Sequence, residues 1–332
     1  METRKVYKSG GSTLVVSLPK RWAKRAGVKD GDSILVRELE GSLLLTTGEP
    51  ERKHQREEID SKLLDSPEDM KLLIISHYLA GYERLIVKFN RSQRLDYKKD
   101  IREAIEFLIG LEIAEEYDDR LLLEVFLDQE RISTMEALKR MYLIIKSMLK
   151  DAQDVIGGGD EELARDIITR EKEVDRLYFL IVRQLKSAVR YGYSAEKLGI
   201  REQREALGYR IVVKSFERIS DHVENLVENF LALRHSHPDM RGAQEIMAAV
   251  IDLLDDASRS VFRKDQDLAL GLFQSLEKIK ERYQKASKEI FKKDLTLEAA
   301  IHYKGMLDSL SRIADYASDI AEIAINISVA MP

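Results

Sequence analysis

One segment, Phe216-Glu-Arg-Ile-Ser-Asp-His-Val-Glu-Asn-Leu-Val-Glu228, is repeated later in this chain as Leu310-Ser-Arg-Ile-Ala-Asp-Tyr-Ala-Ser-Asp-Ile-Ala-Glu322. On a helix of about 3.6 residues per turn, the polar positions of the first copy fall within about 80° of one another, and the apolar positions cluster opposite them. These polar positions are Glu217, Asp221, Asn225 and Glu228. The segment therefore predicts a duplicated amphipathic helix whose acidic stripe is either solvated or holds cations.

The length and composition indicate a globular, multidomain chain. It has 332 residues, 44% of them hydrophobic, which is enough for two or three cores at about 150 residues per domain. No apolar run approaches about 18 residues, and no apolar signal region follows the basic N-terminus, so we expect a cytoplasmic protein without membrane insertion. The absence of cysteine excludes disulfides and thiolate metal sites, which leaves carboxylates and six histidines for any metal chemistry.

The charge is unevenly distributed along the chain. The first 29 residues contain eight Lys or Arg and a single acid, Glu2, although the whole chain has a net charge of −5. A basic N-terminal segment therefore precedes an acidic remainder. Such a segment is typical of a module that binds nucleic acid, and its alternative interpretation is a solvated basic dimerisation module.

The N-terminal segment has the pattern of two hairpins around a short helix. Gly10-Gly11 marks a turn, the strand Leu14–Leu18 ends at Pro19, and Lys20–Ala26 forms a short helix that Gly27 terminates. A second strand pair follows Asp30-Gly31 at residues 33–37 and 42–46. About 47 residues of this kind cannot close a core alone, so we predict an obligate homodimer.

The sequence at 17–32, Ser-Leu-Pro-Lys-Arg-Trp-Ala-Lys-Arg-Ala-Gly-Val-Lys-Asp-Gly-Asp, resembles the AbrB/SpoVT family. The resemblance implies a swapped-hairpin β-barrel dimer that binds duplex DNA. By position it assigns DNA contacts to four basic residues: Lys8, Lys20, Arg21 and Lys24. Ser12-Thr13 follows the turn glycines, where many members place an arginine. Because lysine contacts to phosphate carry little sequence information, we expect weak specificity.

The middle of the chain reads as a linker followed by a small α/β domain. Residues 49–60 are charged and contain Pro50, which favours a linker. Helical spacing at 68–80 and 98–109 alternates with strand-like runs at 84–89 and 121–127. No phosphate-binding loop and no nucleophile motif occurs here. We therefore divide this part of the chain into a DNA-binding domain at 1–48 and an interdomain spacer or regulatory platform at 49–130.

The remainder is helical and repeats itself. The predicted helices are 133–156, 160–191 and 201–233, then 240–262, 265–293 and 297–330, which gives two three-helix repeats at 131–238 and 239–332. In the first repeat Glu171 and Asp175 lie one turn apart on one helix. With Glu217, Asp221 and Asn225 on the neighbouring helix, they predict a multi-carboxylate cation site. The alternative is a solvated face of the bundle, where like charges four residues apart cost only about 0.2–0.5 kcal/mol each.

The duplicated Glu-x-x-x-Asp pattern and the Arg-Ile-x-Asp-His-x-x-Asn-Leu-x-Glu motif resemble the PhoU family of phosphate-signalling proteins over about residues 133–330. The resemblance implies two three-helix bundles, and some members bind iron, zinc or other divalent metals through the acidic stripes. By position, the first-repeat ligands are Glu171, Asp175, Glu217 and Asp221, then Asn225 and Glu228. The second-repeat ligands are Glu277, Glu281, Asp315 and Asp319.

The second repeat departs from this pattern in two ways. Ser311 stands where Glu217 stands in the first repeat. The apolar positions of the preceding helix also favour an alignment shifted by one residue, which would put Leu276 and Lys280 in the acid positions. The cofactors we expect are Mg²⁺, Mn²⁺ or iron ahead of Zn²⁺, since oxygen-only ligands favour hard or borderline ions over structural zinc.

Three classes of function follow from these patterns. The first is a cytoplasmic regulator whose PhoU-like, metal-binding body is coupled to a DNA-binding head that controls phosphate-uptake genes. The second is a regulator that contacts the phosphate transporter or a signalling partner, with the head used only to dimerise. The third is a di-iron oxidase, but such enzymes use Glu-x-x-His on facing helices, a pattern that does not occur in the helical region. We expect the protein not to be an enzyme.

Overall fold

The computed structural model describes residues 2–39, 41–47, 56–89, 94–126, 131–158, 161–190, 195, 197–200, 202, 204–233, 239–290 and 295–329. These form two compact units, Met1–Gln55 and Arg56–Pro332. The predicted order of a β-rich head, an α/β insert and a helical body is confirmed. The domain boundaries predicted at 48/49, 130/131 and 238/239 each adjoin or fall on residues outside the described ranges. Among the described helices, none is long and apolar enough to span a bilayer.

The N-terminal unit consists of two antiparallel hairpins and one short helix. Its elements are β1 (Val6–Ser9), β2 (Thr13–Val16), α1 (Lys20–Ala26), β3 (Leu35–Leu39) and β4 (Ser42–Thr46), with β1 paired to β2 and β3 to β4. Gly27 ends α1 in the left-handed conformation, with φ of 70°. The strands leave large apolar side chains exposed, including Leu14 at 66% and Leu43 at 64%. A single copy of this unit therefore leaves much of its apolar surface in water.

The insert is a four-stranded sheet with two helices. Its elements are β5 (Arg56–Asp60), α2 (Pro67–Ala80), β6 (Arg84–Lys88), α3 (Arg94–Phe107), β7 (Leu111–Glu116) and β8 (Arg120–Val125). The strand order is β5-β6-β8-β7, with β5 parallel to β6 and the other pairs antiparallel. A separate apolar core, which includes Met70, Ile74 and Leu123, holds the sheet and helices together.

The interpretation of residues 49–60 as a linker is wrong for Arg56–Asp60, which forms the edge strand β5. Of its five residues only Ile59 is apolar, and Ile59 is buried. One charged position is paired across the sheet, by the ion pair of 2.6 Å between Glu58 and Lys88 on β6. A charged edge strand lacks apolar alternation, so its periodicity gave no signal. Residues 51–55 lie outside the described ranges.

A buried arginine joins the insert to the helical body. Arg183, in the body, is only 1% exposed and donates hydrogen bonds to the backbone carbonyls of Tyr78 and Tyr82 in the insert, at 3.0 Å for Tyr82. Its guanidinium also lies 4.6 Å from the centre of the Tyr78 ring. Because a buried guanidinium is costly unless it is paired, these contacts fix the insert against the body.

In the described part of the body there are six long helices: α4 (Thr134–Ile156), α5 (Glu161–Arg190), α6 (Glu205–Leu233), α7 (Arg241–Arg263), α8 (Gln266–Glu289) and α9 (Leu297–Ser328). Local signals set several of the ends. Ser133 and Glu136 form a capping box at the start of α4, and Asp265 and Thr296 accept hydrogen bonds from the first turns of α8 and α9. The two predicted three-helix repeats are confirmed, and they share one continuous apolar core.

The third helices of the two repeats, α6 and α9, pack antiparallel at the centre of the body. Gly208 near the start of α6 lies against Ile327 near the end of α9. At the other end, Asn229 of α6 lies against Gly305 and hydrogen-bonds His302 at 3.0 Å. A Cβ at Gly305 would come within 2.8 Å of the Asn229 Oδ1 atom. The close approach of the two helices therefore depends on glycine at these positions.

Candidate metal centre

Three carboxylates converge between α5 and α6. Glu171 and Asp175 of α5 and Asp221 of α6 each place one ligand oxygen within 4.8 Å of the others, and all three residues are partly buried. The apolar face of each helix explains this meeting. Val174 on α5 and Val223 on α6 are fully buried, which fixes the rotation of both helices and leaves the acids at the rim of their contact.

Burial and mutual repulsion raise the pKa values of the three carboxyl groups. Burial, and then the charges of Asp175, Glu224 and Asp221, raise the pKa of Glu171 to about 8. Burial, and then Glu217 and Asp221, raise the pKa of Asp175 to about 6. The pKa of Asp221 is raised by burial and by Glu217. Lys214 and Arg218 lower the pKa of these acids only in part, so the carboxylates still repel one another, and either protons or a metal cation can relieve that repulsion.

Glu224, which the sequence pattern did not single out, is a further acid near the three carboxylates. It is partly buried on α6, and its charge helps to raise the pKa of Glu171. Burial, and then Glu228 and Asp221, raise the pKa of Glu224 itself. The signal was present in the sequence, because position 224 falls about 20° from Glu217 around the helix while Asn225 falls about 80° away. Asn225 is exposed, and its amide donates to the backbone carbonyl of Asp221 at 2.7 Å.

Glu217 lies beside the cluster with its own counter-ion. Its side chain is only 14% exposed, and the ammonium of Lys214 lies 2.6 Å from Oε1 and 2.5 Å from Oε2. Lys214 also lies 5.1 Å from the centre of the Tyr178 ring, whose hydroxyl accepts from Arg210 at 3.0 Å. Glu217 is therefore engaged by an internal cation, and the three-oxygen group forms without it.

The four acids of the second repeat do not converge in the described part of the chain. Glu277 and Glu281 are exposed on α8, and Glu277 lies 3.7 Å from Lys280. Asp315 is partly buried and Asp319 is exposed on α9. Leu276 occupies the buried side of α8 instead. This rotation corresponds to the alternative alignment, in which Leu276 and Lys280 take the positions of Glu171 and Asp175.

The four basic residues predicted to contact DNA are all exposed on the N-terminal unit. Lys8 lies on β1, and Lys20, Arg21 and Lys24 lie on α1. Lys20 and Lys24 are one helical turn apart, so they share a face of α1. The first turn of α1 has no acidic residue that would offset them. The unit therefore presents positive charge that is accessible to a polyanion.

Family models match the helical body and the N-terminal unit of the chain. The family model "PhoU domain" matches residues 138–230 and 243–324. A second model, "Antidote-toxin recognition MazE, bacterial antitoxin", matches residues 7–56. The N-terminal domain is AbrB-like, as its sequence predicts.

Individual relatives match more than half of the chain. A phosphate-specific transport system accessory protein PhoU homolog from Xylella fastidiosa is 24% identical over 219 residues, which is 63% of this chain and 84% of that protein. A homolog with the same name from Caulobacter vibrioides is 25% identical over 191 residues, or 55% and 81% of the two chains.

Solved structures show the same fold. PhoU from Streptococcus pneumoniae superposes with a TM-score of 0.51 at 18% identity, covering 58% of this chain and 92% of that one. PhoU from Pseudomonas aeruginosa gives a TM-score of 0.50 at 21% identity, covering 58% and 94%.

Proposed function

Because this chain belongs to the PhoU family and carries an AbrB-like domain at its N-terminus, we propose that it regulates phosphate uptake through a metal-binding body coupled to a DNA-binding head. The observation that carries the proposal is the fusion itself, in which one chain joins an exposed basic unit to a body with a carboxylate cluster. PhoU proteins form a regulatory family rather than an enzyme family, in line with the function expected from the sequence.

The head acts as a homodimer in this proposal. Its two hairpins expose apolar side chains such as Val6, Val36 and Leu43, which a second copy would cover. The dimer then doubles the basic surface formed by Lys8 and the exposed face of α1. Lysine and arginine contacts to phosphates give affinity that falls with salt and depends little on base sequence.

The body contributes a cation centre in the first repeat. Glu171, Asp175 and Asp221 supply the oxygen ligands, and the nearby negative charge of Glu224 adds to the attraction for a cation. Oxygen ligands of this kind suit Mg²⁺, Mn²⁺ or iron better than structural Zn²⁺. A bound cation would offset the repulsion among these acids and stabilise the contact between α5 and α6.

A salt titration of DNA binding tests the proposal. Full-length protein is titrated against duplex from its own upstream region, with Mn²⁺ or with chelator. Neutralising three phosphates per subunit predicts a slope of about −5 in log K against log salt for the dimer. Replacing Lys20, Arg21 and Lys24 with Ala should weaken binding to all sequences and flatten the slope. The matched control replaces Lys150, Arg165 and Lys278, which are exposed on the body.

The titration has two outcomes against the proposal. An equal loss in the control variant would mean that the overall charge, rather than α1, drives binding. Absence of duplex binding at low salt would remove the DNA-binding role of the head.

The second candidate function is contact with the phosphate transporter or a signalling partner, with the head used to dimerise. The observation that favours it is that relatives of this body are named accessory proteins of the phosphate-specific transport system. Co-purification of the transporter with the full chain and with the Lys20, Arg21 and Lys24 variant distinguishes the two. Equal recovery with both, together with no duplex binding, would favour this second function.

A further inference from the structure

The outward faces of α6 and α9 carry matching stripes of side chains. Along α6, exposed or partly exposed residues recur every three or four positions, from Leu207 through Arg218 to Glu228. The equivalent positions of α9, from Ile301 to Glu322, repeat this pattern of exposure. Because α6 and α9 are antiparallel and equivalent, the twofold operation that exchanges them runs perpendicular to the plane of the pair. Both stripes therefore lie on the same side of that plane.

His222 and Tyr316 mark the centre of this face. They occupy equivalent positions of the duplicated segments, and their rings stack with centroids 5.9 Å apart. The centre divides each stripe into an N-terminal and a C-terminal half at opposite ends of the face. On α9 the N-terminal half contains Arg312, and the C-terminal half contains Asp319. A helix with opposite charges on the two sides of its centre complements a second, antiparallel copy of itself.

Arg312 and Asp319 are exposed, and within the described part of the chain neither forms a hydrogen bond or an ion pair. Lys304 and Asp308, further along the stripe, neutralise each other. Arg312 lies four residues before Tyr316, and Asp319 lies three residues after it. At about 1.5 Å per residue, their distances from the centre along the helix are about 6 Å and about 4.5 Å. A twofold axis that crosses α9 at Tyr316 would therefore bring Arg312 of each copy opposite Asp319 of the other.

Both ends of the face expose apolar side chains. Leu207 is 70% exposed at one end, and its equivalent Ile301 is 61% exposed at the other. A pocket of about 230 Å³ opens beside Leu207, with Ile211 and Ile327 among its walls. An antiparallel second copy lays the end with the pocket against the end with Ile301. Burial of these side chains supplies the affinity, because exposed ion pairs contribute little beyond register.

We propose that the outward face of α6 and α9 is an interface between the bodies of two copies of this chain, docked antiparallel with Arg312 of each copy paired to Asp319 of the other. The occupant is a second copy because the face complements itself both in charge and in the placement of its pocket and apolar side chains. A head that dimerises would also raise the effective concentration of the second body. The inference goes beyond the proposed function, since it concerns neither DNA nor a cation.

Disulfide cross-linking of the full-length protein tests the docking, because the chain has no cysteine of its own. Asp315 lies one residue from Tyr316, so Asp315→Cys places a thiol beside the axis and close to the same thiol of the second copy. The matched control is Ser275→Cys, at an exposed position of α8. We expect Asp315→Cys to cross-link about tenfold faster than the control, since a disulfide forms only where the two Cα atoms lie within about 7 Å.

Charge reversal in the Asp315→Cys background tests the register. Arg312→Glu should slow cross-linking about tenfold, because a symmetric dimer loses two pairs at about threefold each. Adding Asp319→Arg should restore the rate, since the exchanged charges pair again. The matched control is Arg259→Glu, which reverses an exposed arginine of α7 and should leave the rate unchanged.

Several results would overturn the proposal. These are equal cross-linking rates in Asp315→Cys and Ser275→Cys, an unchanged rate in Arg312→Glu, or slowing that Asp319→Arg does not reverse. Loss of transporter co-purification in Arg312→Glu, without cross-linking of Asp315→Cys, would assign the face to that partner instead. Failure here is distinct from failure of the proposed function, because the salt dependence of DNA binding is measured on the chain without these substitutions.

Discussion

Lys214 should weaken cation binding at the carboxylate cluster, because its ammonium group is a positive charge beside the acids and repels a second cation. It pairs with Glu217 at 2.5 Å and lowers the pKa of Asp175 and of Asp221 against the stronger effects of burial and neighbouring acids. Lys214→Met removes this charge and releases Glu217 as an additional ligand. We therefore expect tighter Mn²⁺ binding in the variant than in the wild type.

The size of the effect follows from Coulomb's law. A divalent cation about 6 Å from an ammonium is repelled by about 2.8 kcal/mol at an effective dielectric constant of about 40. The Lys214 side chain is 36% exposed, so screening by water and salt leaves about half of this energy, about 1.4 kcal/mol. Mn²⁺ affinity should therefore rise about tenfold. The metal-free variant should melt below the wild type, because its acids have lost a counter-ion.

Isothermal titration with Mn²⁺ and thermal melting with Mn²⁺ or chelator measure both parts of this prediction. Lys186→Met is the matched control, since Lys186 is an exposed lysine of α5 that should leave both quantities unchanged. Unchanged or weaker Mn²⁺ binding in Lys214→Met would refute the reasoning. In that case Lys214 would orient the acids rather than compete with the metal.

Three further predictions concern the cluster and the central helix pair. Asp221→Asn should abolish stabilisation by Mn²⁺ while leaving the metal-free protein as stable or more so, because a buried repulsive charge is removed; unfolding of this variant would make Asp221 structural. The raised pKa of Glu171, about 8 against an ordinary 4.5, means that the folded state holds a proton that the unfolded state releases. Stability of the metal-free protein should therefore fall as pH rises through this window, and less steeply in Glu171→Gln; parallel melting profiles would contradict this. Gly305→Ala should lower the free energy of unfolding by about 1–2 kcal/mol, because its Cβ meets an Asn229 side chain held by two hydrogen bonds. Gly271→Ala is the control: it has open space around its Cβ and should gain about 0.5–1 kcal/mol of stability. Equal shifts in the melting temperatures of the two variants would contradict the packing argument.

The sequence predicts those parts of the fold that carry a strong period. The long helices of the body follow from apolar residues at helical spacing, and in the structure caps at Ser133 and Asp265 mark the starts of two of them. The edge strand β5 escaped prediction because four of its five residues are charged, so its sequence lacks the apolar alternation that indicates a strand. The strands of the N-terminal unit expose apolar side chains, and the local sequence pattern does not identify the surface that would cover them.

For the candidate metal centre, the sequence predicts which helix faces meet but not which side chains on those faces turn towards the three carboxylates. Glu171, Asp175 and Asp221 meet as their spacing predicts. The choice between Glu224 and Asn225 depends on a rotation of about 100° per residue, and only the packing of α6 fixes which one turns inward. The pairing of Lys214 with Glu217 is equally hidden, since a lysine three residues before a glutamate usually indicates a solvated pair.

Each repeat contains a hydrogen bond from a basic residue of its third helix to a tyrosine of its second helix, and this contact, here called the polar anchor, fixes the alignment of the two repeats. The alignment explains why only the first repeat has the carboxylate cluster. In the first repeat Arg210 donates to the hydroxyl of Tyr178, and in the second Lys304 donates to the hydroxyl of Tyr283 at 2.9 Å. With Tyr283 in the place of Tyr178, Leu276 and Lys280 fall at the positions of Glu171 and Asp175.

The anchor also differs in charge between the repeats. Asp308 stands at the position of Lys214 and accepts from Tyr283 at 2.7 Å, and Ser311 stands at the position of Glu217. The second repeat has therefore exchanged its inward acids for an apolar and a basic residue, and its internal cation for an acid that Lys304 neutralises. We accordingly confine the proposed cation centre to the first repeat.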